Sequence, residues 1–230
     1  NFKESWSGFA SQKKMKRFLI TLGLGTAAFS MQDIILEPYG GEILHLSVSQ
    51  TSLLTALMSA GALSAFALAA RWLSKGMDAY RIAGLALVIG LVAFSAVIFA
   101  EPMDSPLLFR FGATFIGFGA GLFSVSTLII AMQMENLGMT GMAIGAWGAV
   151  NTMASGIAIS IGGLIRDVVS DFALKGYLGD ALENPAIGYQ FVFHLEIYLI
   201  FATLIALGPL VVYQRKRAAI SKFGLADLPS

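Results

Sequence analysis

Two carboxylates stand close together at the far end of the first apolar stretch, in Gln32-Asp33-Ile34-Ile35-Leu36-Glu37-Pro38-Tyr39-Gly40-Gly41-Glu42. Asp33 and Glu37 are four residues apart, so on a helix they share a face. Pro38 biases Glu37 out of the α region, which predicts that the helix ends there. Gly40 and Gly41 would then allow a tight turn. An acid at the centre of a bilayer costs about 2.5–3.5 kcal/mol, less near the interface, so such residues face a protein interior or a water-filled cavity. Placed like this, Asp33 and Glu37 can hold a polar part of a ligand or carry a proton between two states. They can also simply cap a turn at the membrane surface.

The chain has two histidines, His45 just after this cluster and His194 early in the last apolar stretch. A neutral imidazole near a membrane can hold the magnesium of a chlorin ring axially, or it can be a packed, hydrogen-bonded residue. Glu196 is an acid inside the same stretch. It lies two residues from His194, and positions i and i+2 do not face each other on a helix. Gly117-Phe118-Gly119-Ala120-Gly121 follows no strand, so it reads as close helix packing rather than a dinucleotide fingerprint. Gly141, Gly145, Gly148 and Ala149 suggest the same in the next stretch. Asp78, followed three residues later by Arg81, sits in a short basic turn and can bridge two helix ends. No P-loop, nucleophile elbow, metalloprotease pair or Ser-His-Asp set is present, so neither a catalytic nor a metal site is expected. No nucleic-acid footprint is present either.

These residues are carried by a very apolar chain. Of its residues 57% are hydrophobic and 13% charged, and the mean hydropathy is +0.75. An average soluble domain is about a quarter charged, so this composition predicts an all-α, polytopic transmembrane bundle. Without cysteine, no disulfide or thiolate site can form. Six spans are expected, near Phe18–Leu36, Gln50–Leu73, Tyr80–Ala100, Leu107–Gln133, Gly141–Ile165 and Tyr189–Tyr213. A basic lead-in over 1–17 and a tail over 215–230 would flank a six-span unit over 18–214. Twelve of the fifteen Lys and Arg fall in the loops on one side, which predicts that both ends are cytoplasmic. The turn at Glu37–Ser47 and the loop Arg166–Gly188 would then face outward. The loop Met134–Thr140 lacks basic residues and carries no such signal. The chain begins at Asn1, which reads as a piece of a longer protein.

The run Met31-Gln32-Asp33-Ile34-Ile35-Leu36-Glu37-Pro38-Tyr39-Gly40-Gly41 resembles the signature of the PucC/LhaA family, the bacteriochlorophyll-delivery branch of the major facilitator superfamily. The likeness continues through Leu46–Ser52 and, less sharply, to Tyr213. The basic turn around Asp78 and Arg81 resembles that superfamily's loop motif, with Ser74 where the motif has glycine. The resemblance implies the second six-helix half of a twelve-helix fold. The first and fourth helices of a half would line a cavity, the second and fifth would meet the other half, and the third and sixth would face lipid. It marks Gln32, Asp33, Glu37, Pro38, Tyr39, Gly40 and Gly41 as the family's site. It implies a non-enzymatic assembly factor for light-harvesting antenna complexes in a bacterial inner (intracytoplasmic) membrane. Its cargo would be bacteriochlorophyll, nascent antenna polypeptides or both. Its partners would be those polypeptides or a core photosynthetic complex, membrane lipids and the missing N-terminal half. The last span, with Phe191, Phe193, His194 and Tyr198, would offer an aromatic surface. Two other functions stay open: a proton-coupled solute transporter using Asp33 and Glu37, and a structural subunit of a photosynthetic complex.

Overall fold

A computed structural model describes residues 13–133 and 140–223, with side chains for 13–133 and 141–211. The expectations for the first twelve residues and for the loop at 134–139 lie outside the described residues. The regular elements described are all helical. They are α1 (Lys13–Ser30), a 3-10 turn (Met31–Ile34), α2 (Leu36–Glu42), α3 (Val48–Ser74), α4 (Ala79–Ala100), α5 (Pro106–Gln133), α6 (Thr140–Leu174), a second 3-10 turn (Asp180–Leu182) and α7 (Ala186–Phe223).

Among the described residues, five segments meet a length and hydropathy threshold for crossing a membrane: Lys13–Glu42, Val48–Ser74, Ala79–Ala100, Pro106–Gln133 and Ala186–Val211. They coincide with the first, second, third, fourth and sixth expected spans. The fifth expected span, Gly141–Ile165, lies within α6, which at 35 residues is longer than expected. The expected outer loop from Arg166 also begins too early, because α6 runs on to Leu174. Its last turns stay helical through charge, with Lys175 pairing to Asp171 four residues back at 2.7 Å. Such an exposed pair contributes about 0.3–0.5 kcal/mol. At the other end of the chain, α7 continues to Phe223, into the stretch assigned to a tail over 215–230, of which 224–230 lie outside the described residues.

Glycine sets the closest helix contacts. A Cβ on Gly117 would lie 2.6 Å from the Met58 carbonyl carbon, and one on Gly121 would lie 2.9 Å from the Ala62 Cα. Across the same crossing, a Cβ on Gly61 would meet the Thr114 carbonyl oxygen and lie 2.9 Å from the Phe118 nitrogen. The small-residue run of α5 therefore does pack, against α3, as helices do in lipid. The run in α6 does not. Gly141, Gly145 and Gly148 have nothing within 4 Å of an added Cβ, because they lie on a face that no described element covers. Glycines further along α6 are the close ones: a Cβ on Gly162 would lie 2.7 Å from the Met31 carbonyl oxygen. This seats α6 on the first 3-10 turn.

The basic turn is also plainer than expected. Asp78 is the N-cap of α4, and its carboxylate accepts from the Tyr80 N–H at 3.1 Å. Among the described residues it forms no ion pair with Arg81. At the same end of α1, Arg17 Nε donates to the Ala206 carbonyl at 2.9 Å. That carbonyl lies in α7 next to the carbonyl of Ile205, which loses its helical donor because Pro209 has no N–H.

Candidate functional site: the broken first span and its polar cavity

The first span breaks earlier than its proline. Helix α1 ends at Ser30, and the chain passes through a 3-10 turn before starting again at Leu36. In a bilayer every freed backbone group needs a partner, and here side chains supply two. Gln32 Nε2 donates to the Phe29 carbonyl at 2.8 Å. The Gln32 backbone N–H donates to Glu196 Oε1 of α7 at 2.8 Å. Pro38 therefore does not end a helix. It occupies the third position of α2, in the first turn, where a backbone N–H has no helical partner anyway. Gly40 and Gly41 lie inside α2 rather than in a turn. Gly40 makes room instead: a Cβ there would lie 3.0 Å from the Phe109 ring. The left-handed residue that redirects the chain is His45, at φ 53°, a region that histidine enters more readily than most residues.

The break changes the relation between the two acids. Asp33 lies in the 3-10 turn and Glu37 in α2, so they do not share one continuous helix. Asp33 lines a cavity of about 210 Å³ with Thr26, Gln32, Met58, Ser124, Asn151 and Ser155 among its neighbours. Inside it Thr26 Oγ1 donates to Asn151 Oδ1 at 2.9 Å. Glu37 is not among the lining residues. It is exposed, and its Oε1 accepts from Thr55 Oγ1 of α3 at 2.5 Å.

Behind the cavity lies Glu196, which has no solvent exposure. One of its oxygens holds the Gln32 N–H, and the other, Oε2, has no hydrogen-bond partner among the described residues. Gln32 Oε1, also buried, lacks one too. Two unpaired acceptors thus lie beside the break. Replacing Glu196 with alanine should strand the Gln32 N–H and cost about 1–3 kcal/mol. Glu196→Gln keeps an acceptor oxygen and should stay close to the unmodified protein. Thermal unfolding of both variants in detergent checks this, and equal loss in the two would show that the hydrogen bond is not what matters.

The other marked residue, Tyr39, is a packing centre. It is fully buried, with ring centroids 5.5 Å from Phe109, 5.4 Å from Tyr189 and 5.2 Å edge-on from Phe193. Its hydroxyl accepts from Gln190 Nε2 at 3.3 Å. Phe193 belongs to this core and not to the outer aromatic surface expected of the last span. Phe191 and Tyr198 are exposed, and His194 lies between them. Tyr189 also stacks beneath Arg166, whose Cζ is 4.7 Å from the ring centroid, and donates to Glu42 Oε2.

Sequence reading singled out Gln32, Asp33 and Glu196 but did not connect them. It missed Thr26, Ser124, Asn151 and Ser155. One signal was available: Asn151 and Ser155 are four apart in α6, so they fall on one helix face.

The family model described as PUCC protein matches residues 1–215. The chain is 46% identical to an uncharacterized protein from the puhA-bchM intergenic region of Rhodobacter capsulatus, over all of this chain and 49% of that protein. It is 40% identical to Protein PucC of Cereibacter sphaeroides, over 91% of this chain and 45% of that one. It is 43% identical to Protein PucC of Rhodovulum sulfidophilum, over 74% and 37%. The chain spans about half the length, or less, of these curated relatives. By this match over nearly its whole length, the chain belongs to the PUCC protein family.

Proposed function

We propose that this chain is part of a non-enzymatic membrane assembly factor for light-harvesting antenna complexes, which binds bacteriochlorophyll, nascent antenna polypeptides or both and hands them on. Family membership suggests the process. The observation that supports a binding role is the polar cavity at the broken span, where Asp33 opens onto hydroxyl and amide groups beside two unpaired buried acceptors. Polar groups in a membrane segment are costly and mark functional sites by default. At about 210 Å³ the cavity is too small for a whole tetrapyrrole. It suits a polar edge of one, or a polar side chain of an incoming helix. The site would work in a bacterial inner membrane.

Further helices would complete the unit. Only 22% of the apolar window of α3 is buried, against 61% for the first span. The open glycines of α6 lie on a second uncovered face. These two faces would receive the rest of the longer protein, in the places the superfamily likeness gives to the second and fifth helices.

The proposal is tested in phototrophic cells whose own copy is replaced by full-length Asp33→Asn. The side chain is exposed, so the variant should reach normal membrane levels while antenna absorbance falls by half or more. Unchanged antenna absorbance at equal protein level would remove Asp33 from the site. Paired-acid proton coupling is less favoured, because Glu37 bonds to α3 outside the cavity.

A further inference from the structure

Around α7 from Glu196, His194 is exposed at an apolar groove of about 380 Å³. Its Nδ1 lies 2.7 Å from the Gln190 carbonyl oxygen, one turn earlier. A carbonyl only accepts, so Nδ1 carries the proton of that bond and the neutral ring keeps its lone pair on Nε2. No protein group takes that lone pair among the described residues. Metal-ligating histidines are held in this way, by a hydrogen bond from the other ring nitrogen. His45, by contrast, sits exposed in a left-handed turn with no such bond.

The surroundings decide what metal could bind. Among the described residues no group of three or more His, Cys, Asp or Glu could hold a free ion. One imidazole suffices for a metal that already has four nitrogens of a macrocycle and lacks only an axial ligand. The groove wall suits such a ring. Phe191 and Tyr198 lie three residues before and four after His194, on the same face of α7, and Leu182, Ile187 and Leu195 complete an apolar lining. Flat apolar faces stack well on aromatic side chains. Gln190 also lines the groove; its Oε1 is buried without a hydrogen-bond partner among the described residues.

We infer that this face of α7 is a metallotetrapyrrole site, with His194 Nε2 as axial ligand to a magnesium chlorin lying against Phe191 and Tyr198. It rests on the proposed function for the choice of magnesium chlorin. It is separate from the cavity at Asp33 and would hold the ring itself.

The full-length protein in lipid nanodiscs is titrated with zinc pheophorbide and with metal-free pheophorbide, followed by absorption. The unmodified protein should bind the zinc form at one saturable site, with the spectral shift of axial ligation. His194→Phe should weaken that binding about tenfold or more and abolish the shift. His194→Ala should regain the shift on adding imidazole. Metal-free pheophorbide should not distinguish the three proteins. Equal zinc-chlorin binding by the unmodified protein and His194→Phe overturns the inference, as does no binding by either. If Asp33→Asn abolishes zinc-chlorin binding and His194→Phe does not, this site falls while the cargo reading stands. The antenna absorbance of cells carrying Asp33→Asn tests the assembly role independently.

Discussion

Tyr39→Ala should destabilise the bundle by about 3–5 kcal/mol, the usual cost of emptying a large aromatic site in a core. The ring has no solvent exposure and touches aromatic rings of α5 and α7. Each such aromatic pair adds about 0.5–1.5 kcal/mol beyond area burial. The ring is what fixes short α2 against the rest of the bundle, since seven residues of helix are marginal alone. Tyr39→Phe loses only an acceptor for a 3.3 Å bond from Gln190 and should cost about 1 kcal/mol. Reversible unfolding of the full-length protein in mixed micelles measures both. Near-equal stability of Tyr39→Ala and the unmodified protein would show that the aromatic cluster does not hold the segment. The family resemblance marks Tyr39 together with Asp33, but the two do different work. One supports the site and the other faces the cavity.

Gly117→Leu should prevent α3 and α5 from closing, at a cost of about 3 kcal/mol or more, at or beyond the upper end of ordinary overpacking. The obstacle is backbone: an added Cβ would lie 2.6 Å from the Met58 carbonyl carbon and 2.7 Å from its Cα. Backbone inside a helix cannot swing away as a side-chain tip can. Because a Cβ on Gly61 meets α5 backbone from the other side, a shift of either helix does not relieve the clash. Gly208→Ala, in α7 and away from the faces proposed to receive the rest of the protein, is the matched control. Nothing lies within 4 Å of its Cβ in this chain, and alanine favours the helix by about 1 kcal/mol. The yield of folded protein after solubilisation should separate the two variants. A stable Gly117→Leu bundle would mean that the helices do not cross there.

The helical membrane architecture was legible because apolar stretches of twenty or so residues are a strong signal. The close crossing at Gly117 and Gly121 was legible for a similar reason, since small residues four apart have few other uses in a span. The break in the first span was legible only in part. Polar residues announced it, but Pro38 pointed to the wrong position. What places it is the bond from the Gln32 N–H to Glu196, 164 residues away in sequence, which no local pattern encodes. Glu196 was visible as an oddity, yet its partner was not. The same limit explains the glycines of α6: sequence shows that a face is small, and the fold decides what, if anything, covers it. The extension of α6 to Leu174 was missed because its last turns are charged, and charge marks the end of a span rather than the end of a helix.

If the broken span and its polar cavity serve a protein that handles bacteriochlorophyll, as we propose, pigment should stay with the protein through purification. The most direct test is the absorption spectrum of the full-length protein, purified in mild detergent away from antenna polypeptides. The expected result is a near-infrared bacteriochlorophyll band at a fixed ratio to protein, reduced in Asp33→Asn while the helical content is unchanged. A colourless, fully folded protein would contradict pigment handling and leave antenna polypeptides as the cargo to be tested.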